Sequence, residues 1–321
     1  MSDTLLDTRP IPADRAEWLA LRQRYVGASE VAALFHAQPD YALGHLALWM
    51  VKAGRMEPPK VDTPRTRAGL ALEDAITALA ADQEGWTIAP GVYASHACGL
   101  GATLDRIITA PGANDEGMSG PGCLELKVVD WLQHRRGWTG GEPPLHILLQ
   151  LQAQLLCTGY SWGAVAALVG GNEVHVYRYT ARPRLHADMV RRVSGFWQSI
   201  EAGRTPNADD SDSAWKALAA ANPDLSDDVQ DLADDAEANA LALEWLRQQA
   251  ARKAAEKAEA AAKHALVQRL GSAGRAQGDG WRLTISDVPE TPDRIITEAM
   301  IGQTIKGRAG SRRAIIKETA A

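Results

Sequence analysis

Glu125 and Lys127 stand two apart in the run Cys123-Leu124-Glu125-Leu126-Lys127-Val128-Val129. In a strand that spacing sends both side chains to one face. A carboxylate and an amine then project together from an otherwise apolar segment. Unpaired buried charges are costly, and a metal site beside an anionic substrate accounts for both. Asp105 closes an earlier strand, across the glycine-rich loop Pro111 to Gly122, and Glu73 lies on a helix before that. Hard oxygen ligands with no clustered cysteine or histidine suit Mg²⁺ or Mn²⁺. Such an ion polarises a phosphoryl oxygen, lowers the pKa of a bound water and stabilises the leaving oxygen. A neighbouring lysine orients the water or offsets the charge at phosphorus. This is a recipe for phosphodiester hydrolysis. The plainer reading of Glu73 alone is a surface carboxylate that stabilises a helix start.

The elements that must position these groups follow from periodicity. Apolar spacing predicts helices over Arg15 to Arg24, Ala42 to Val51 and Arg67 to Ala81, the last with Leu72, Ile76 and Leu79 on its apolar face. Ser29 is expected to cap a short helix through Phe35. The same helix end would offer an anion site, with Arg22 to complete it. Trp86 to His96 reads as strand and turn, Gly99 to Ile108 as a second strand, and Glu125 lies on a third. Gly99-Leu100-Gly101 lacks the remainder of a dinucleotide motif. Trp131 to Gly141 mixes His134, Arg135, Arg136 and Trp138, a combination that can hold a nucleic-acid strand; a solvated turn is the alternative. Leu145 to Gly159 is a helix carrying Gln150, Gln152 and Gln154, of which at most one or two reach any one site. Gly170-Gly171-Asn172 marks a hairpin, and Pro183 to Glu201 is an amphipathic helix.

Composition sets the outer limits. The 321 residues carry a net charge of −6 and 45% hydrophobic residues. That is a chain able to bury a core, and not one that coats DNA by overall basicity. Cys98, Cys123 and Cys157 are three scattered cysteines with no C-x-x-C pair, which fits free thiols in a reducing compartment and argues against a cysteine-held zinc or iron–sulfur site. Met1 to Pro12 reads as a loose leader without a signal pattern, and no apolar run is long enough to span a membrane. After Arg204 the composition changes. Acidic residues dominate Pro206 to Ala240, and an Ala-rich helical arm runs from Leu241 to Leu270. A strand is expected at Trp281 to Ile285, and Lys306 to Lys317 holds five basic residues and no acidic ones, read as a flexible basic arm.

With these residues in place, the chain resembles the D…(D/E)-x-K nuclease superfamily and, more narrowly, the lambda-exonuclease or YqaJ-like viral recombinase group. The carriers, spread over residues 14–200, are Trp18 and Arg22 before Val26-Gly27-Ala28-Ser29-Glu30, then Gly69-Leu70-Ala71-Leu72-Glu73, Thr103-Leu104-Asp105, Glu125-Leu126-Lys127 and Leu149 to Leu155 ahead of Gly159. Ala28 and Glu30 stand where the group commonly has glycine and aspartate.

The resemblance implies an α/β fold with a restriction-endonuclease-like core: a central mixed β-sheet flanked by helices, followed by a helical C-terminal extension. It implies a nuclease domain over 1–205, with 206–321 left as acidic linker, helical arm and basic tail. Asp105 and Glu125 would be metal ligands, helped by the Leu126 carbonyl and by Glu73. Lys127 would position the attacking water, and Gln152 would join this catalytic set. Arg22, Ser29, Thr103 and Gln152 would resemble the pocket for a 5′-terminal phosphate. The implied activity is 5′→3′ digestion of one strand of linear duplex DNA, leaving 3′ overhangs for a single-strand annealing protein. The implied setting is a phage or prophage protein in the bacterial cytoplasm, homo-oligomeric, as a ring-shaped trimer in processive members. An endonuclease or junction-cleaving enzyme on the same core, or a non-catalytic recombination scaffold, are the rival readings.

Overall fold

Trp162 to Val169 is an uninterrupted apolar run, and every one of its eight residues is buried. A strand covered on both faces reads this way, and the sheet is built around it. The computed structural model describes residues 7–59, 62–222, 224, 226–290, 294–295, 304–305 and 311–318. The strands of the first unit are β1 (Asp7–Arg9), β2 (Val26–Gly27), β3 (Thr87–Pro90), β4 (Tyr93–His96), β5 (Leu100–Thr103), β6 (Arg106–Ala110), β7 (Gly122–Val129), β8 (Trp162–Val169) and β9 (Glu173–Thr180). Its helices are α1 (Arg15–Gln23), α2 (His45–Lys52), α3 (Pro64–Glu84), α4 (Trp131–Gly137), α5 (Leu145–Thr158), α6 (Pro183–Glu201) and α7 (Asp212–Ala221).

The main sheet runs β3-β6-β7-β8-β9. β7 and β8 are parallel and the other neighbours antiparallel, so the sheet is mixed. A second sheet, β1-β4-β5-β2, lies beside it. The alternation of β7 and β8 sorts their side chains between two clusters. Leu124, Leu126, Ala164, Ala166 and Leu168 pack with Ile76 and Ala80 of α3. Cys123, Val129, Val165, Ala167 and Val169 pack with Leu149, Leu151 and Leu155 of α5. Helices therefore cover both faces, the α/β core with a central mixed sheet that the sequence implied. Glu125 and Lys127, being odd-numbered on β7, fall on the α5 side.

Five expectations are corrected here. The single strand over Gly99 to Ile108 is two strands in different sheets, broken at Leu104-Asp105. The leader is not wholly loose, because Asp7–Arg9 pairs with β4. Ser29 caps nothing: Val31–Phe35 is a 3-10 turn whose flanking residue is Glu30, with no side-chain cap. The first compact unit extends to Ser226 rather than ending at residue 205. Its last helix, α7, buries Ala214 and Ala217. Ser213 Oγ accepts from the Gly44 N–H at 2.7 Å, and Asp209 Oδ2 from the Leu46 N–H at 3.3 Å. An acidic composition concealed this packing, because the contacts are made by small residues. The fifth concerns the basic tail, in the second unit.

The second unit, Asp227–Ala321, holds α8 (Ala236–Leu270), with no buried residue. It also holds β10 (Arg275–Gly278), β11 (Trp281–Val288), β12 (Arg294–Ile295), β13 (Thr304–Ile305) and β14 (Ser311–Glu318). β14 pairs antiparallel with β11 along eight residues, so Arg312, Arg313 and Lys317 belong to a strand, not a flexible arm. Lys306 and Arg308 lie outside the described residues.

Candidate active site

β6 and β7 pair only as far as Arg106 opposite Leu124. From Glu125 onward that edge of β7 is open, and the break at Leu104-Asp105 delivers Asp105 to it. Asp105 Oδ2 accepts from the Leu126 N–H at 2.8 Å. A strand residue's N–H and C=O point to the same edge, so the Leu126 carbonyl faces Asp105 as well. Glu125 and Lys127 share one face of β7, and Asp105 meets the same strand at its open edge.

Glu125 is 2% exposed and both its oxygens are held. Oε1 accepts from Lys127 Nζ and from Gln150 Nε2 at 2.7 Å; Oε2 accepts from Gln154 Nε2 at 2.5 Å. Gln150 Oε1 in turn accepts from Lys127 Nζ at 3.2 Å. Positions four apart share a helix face, so Gln150 and Gln154 reach the site together. Gln152 points the other way. Its amide donates to the Thr180 carbonyl at 2.9 Å, and its oxygen accepts from the Arg182 N–H at 2.9 Å. Gln152 therefore ties α5 to the start of α6 and stands apart from Glu125, contrary to the role expected for it. The i, i+4 spacing of Gln150 and Gln154 was the available signal. His146, one turn earlier, was also missed; burial first, then the Lys127 charge, lowers its pKa and favours the neutral imidazole.

Burial, then the charge of Glu125, raises the Asp105 carboxyl above the ordinary aspartate range, and Glu73 adds to this. Burial also raises Glu73, against the opposing pull of Arg106. Arg106 lies 3.6 Å from Glu73 Oε2 and 2.6 Å from Asp74 Oδ1. Burial would lower the Lys127 pKa, but Glu125 and Asp105 outweigh it and raise it. Lys127 is thus a proton-bearing donor and not a base.

Among the described residues no three His, Cys, Asp or Glu side chains gather tightly enough to hold a metal by themselves. The repulsion among Asp105, Glu125 and Glu73 is nevertheless what a cation relieves, and the donors are all hard oxygens. Two carboxylates, one backbone carbonyl and water fit Mg²⁺, which keeps several waters when bound. Glu73 is the outlying member, drawn to Arg106.

A cavity of about 460 Å³ opens beside these groups. Glu73, Asp105, Arg106 and Gln150 line it together with Arg15, Trp18, Arg22, Ser29 and Thr103. Arg22 Nη2 lies 3.0 Å from Glu30 Oε1 and 3.5 Å from Ser29 Oγ, and its guanidinium stacks 4.8 Å from the Trp18 ring. Trp18 Nε1 donates to Thr103 Oγ1 at 3.3 Å. Glu30 also meets the almost fully buried Lys52 at 2.8 Å. Burial alone would raise the Glu30 pKa, but Lys52 and Arg22 hold it below the ordinary carboxylate value. Two cations on one carboxylate leave a net positive charge at this wall. Gly101 allows the close packing behind it, since a Cβ there would stand 2.2 Å from the Tyr93 hydroxyl.

Residues 17–161, from the foot of α1 to the end of α5, match the YqaJ-like viral recombinase domain. That span, a little under half of the chain, is similar to the YqaJ-like domain. The matched span contains Arg22, Ser29, Glu73, Thr103, Asp105, Glu125, Lys127, Gln150 and Gln154, and the similarity is in keeping with a nuclease role. A solved alkaline exonuclease from Laribacter hongkongensis is 21% identical, with 59% of this chain and 94% of that one covered and a TM-score of 0.48. The same exonuclease in complex with dAMP is 22% identical at the same coverage and TM-score. A structure of SSO0001 is 15% identical, covering 58% of this chain and 78% of that one, with a TM-score of 0.32. No curated protein matches the chain. No helix among the described residues is long and apolar enough to cross a membrane.

Proposed function

We propose that the first unit is a divalent-metal-dependent deoxyribonuclease. It removes nucleotides 5′→3′ from one strand of linear duplex DNA and leaves a 3′ overhang. The observation that carries this reading is the shared cavity: Arg22, Ser29 and Thr103 open into the same space as Asp105 and Glu73. An end-reading anion pocket next to acidic metal ligands suits an exonuclease; an endonuclease has no use for it.

Mg²⁺ or Mn²⁺ held by Asp105, Glu125 and the Leu126 carbonyl, with Glu73 through water, would supply Lewis acidity and a water of lowered pKa. Lys127 remains protonated and orients the attacking water while offsetting negative charge at phosphorus. Gln150 and Gln154 fix the Glu125 carboxylate, so that its oxygens keep one orientation. Hydrolysis adds water across the P–O3′ bond, and the leaving 3′ oxygen takes a proton. The released nucleotide keeps its 5′-phosphate, and the shortened strand begins with a new one. Arg22 and Ser29 would therefore meet the same anion after every turnover. Thr103 orders the pocket through Trp18. Gln152 stiffens the α5–α6 corner and does not touch the reacting groups.

The partners that follow are linear duplex ends and a single-strand annealing protein, with assembly into a homo-oligomer, a trimeric ring being the form that would enclose DNA. A phage or prophage protein in the bacterial cytoplasm fits this role. The test compares linear and covalently closed circular duplex with Mg²⁺ or with chelator. The expected result is digestion of the linear form only, and only with metal. Robust cutting of closed circles would transfer the assignment to an endonuclease.

A further inference from the structure

α4 begins immediately after β7, four residues beyond Lys127, which places Trp131 within about 13 Å of that lysine at the rise of a strand. Asp130 caps the helix, accepting from the Leu132 N–H at 2.9 Å and the Gln133 N–H at 3.2 Å. The helix buries no residue of its own. His134 is turned inward onto the Tyr177 hydroxyl at 2.9 Å. Trp131 is turned outward and is 57% exposed, with Arg135 stacked on its ring at 5.5 Å. Arg136 is also exposed, on another side of the helix.

Arg65, at the start of α3, reaches over to donate to Gln133 Oε1 at 2.8 Å and to the Val128 carbonyl at 3.4 Å. α3 thus runs from Glu73 at the site to Arg65 at α4. Among the described residues, none of Arg65, Arg135 and Arg136 has a carboxylate within ion-pair distance. None of them, nor Trp131, lines the cavity that holds Arg22. An exposed indole with an unpaired guanidinium stacked on it, and two more guanidiniums round the same helix, matches what a flexible phosphate chain with splayed bases requires: stacking surface and positive charge together.

We propose that the Trp131–Arg135 face of α4 is a platform for single-stranded nucleic acid, which stacks on Trp131 and is held through its phosphate by Arg135, with Arg65 and Arg136 adding positive charge where the strand passes round the helix. That the natural occupant is the uncut strand left by resection rests on the function proposed above.

The test is fluorescence anisotropy of a labelled oligo-dT with the full chain in chelator, where nothing is hydrolysed. It uses wild type, W131F and the double variant W131A/R135Q. Base stacking and phosphate contact together predict about tenfold weaker binding for the double variant and roughly threefold or less for W131F. The slope of log affinity against log salt falls by about one for the lost arginine. Equal affinity in wild type and double variant would overturn the proposal and leave the exposed Trp131–Leu132 face to a protein partner. Digestion of a 5′-phosphorylated duplex is measured in parallel. If wild type digests nothing while W131A/R135Q still loses oligo-dT, the platform stands and the nuclease reading falls. If digestion proceeds and oligo-dT binding is unmoved, only the platform falls.

Discussion

α5 and α8 both carry several leucines and three glutamines, yet they are opposite kinds of helix. α5 has 14 residues and buries eight of them, including Gln152 and Gln154. α8 has 35 residues, about 52 Å of helix, and buries none. Tertiary packing holds α5 and makes its polar side chains precise: Gln154 can fix Glu125 because Leu151 and Leu155 cannot move. α8 depends on local terms, a cap from Asp235 to the Ala238 N–H at 2.9 Å and exposed pairs such as Arg252–Glu256 at 2.5 Å. Chemistry belongs on the first kind of helix. The second presents surface, with Leu241, Leu243, Trp245 and Leu246 all exposed.

The largest effect expected is on the α5 side. Lys127→Ala removes the donor that meets both Glu125 and Gln150, and should lower metal-dependent digestion by about 10²–10³-fold, read as initial rates with folding checked by circular dichroism. Unchanged digestion would break the assignment of β7 as the reacting strand. Next comes the edge of the packed unit. Truncation after residue 226 should leave its melting behaviour intact. Truncation after residue 205 removes α7 and should cost about 1–3 kcal/mol in denaturant unfolding, from lost burial and unpaired backbone N–H groups. Equal stability of the two would return the boundary to where the composition changes.

The third concerns pH. Asp105 is raised to about 8 from an ordinary value of 3.8, chiefly by burial and by Glu125. The folded state then binds more protons than the unfolded state between those values, so stability falls as pH rises through that window. The metal-free protein should melt lower at pH 9 than at pH 5, and Asp105→Asn should flatten that slope. Added Mg²⁺ should raise the wild-type melting temperature more at pH 8 than at pH 5. A shift independent of pH would separate the metal from Asp105. The smallest effect belongs to α8, where Arg252→Ala should change stability by no more than about 0.5 kcal/mol.

Much of the site was legible because its residues are close in sequence. Glu125 and Lys127 needed only the period of a strand, while Asp105 needed its order before them and the family resemblance. The glutamines were harder: choosing among Gln150, Gln152 and Gln154 depends on which side of α5 meets β7, a tertiary fact. Their i, i+4 relation shows that two of them act together, but not which face is inward. Ser29 failed as a cap because Glu30 is drawn to Lys52, a residue 22 positions away that no local pattern connects to it. The same long-range pair places Arg22 at the cavity. The acidic stretch hid α7, whose buried contacts come from Ala214 and Ala217, too small to register as an apolar face. β14 was hidden because its basic residues read as a solvated tail, whereas its backbone pairs with β11 over eight residues.

The proposed function requires Arg22 and Ser29 to read a terminal phosphate for the carboxylates of Asp105 and Glu125. The direct measurement is digestion of end-labelled linear duplex bearing 5′-phosphate or 5′-hydroxyl ends, with Mg²⁺, by wild type and Arg22→Gln. The prediction is a wild-type preference for the phosphorylated end of at least about tenfold, as for a lost charge-assisted hydrogen bond, collapsing toward unity in Arg22→Gln. Equal rates on both ends in the wild type, or an undiminished preference in the variant, would contradict it.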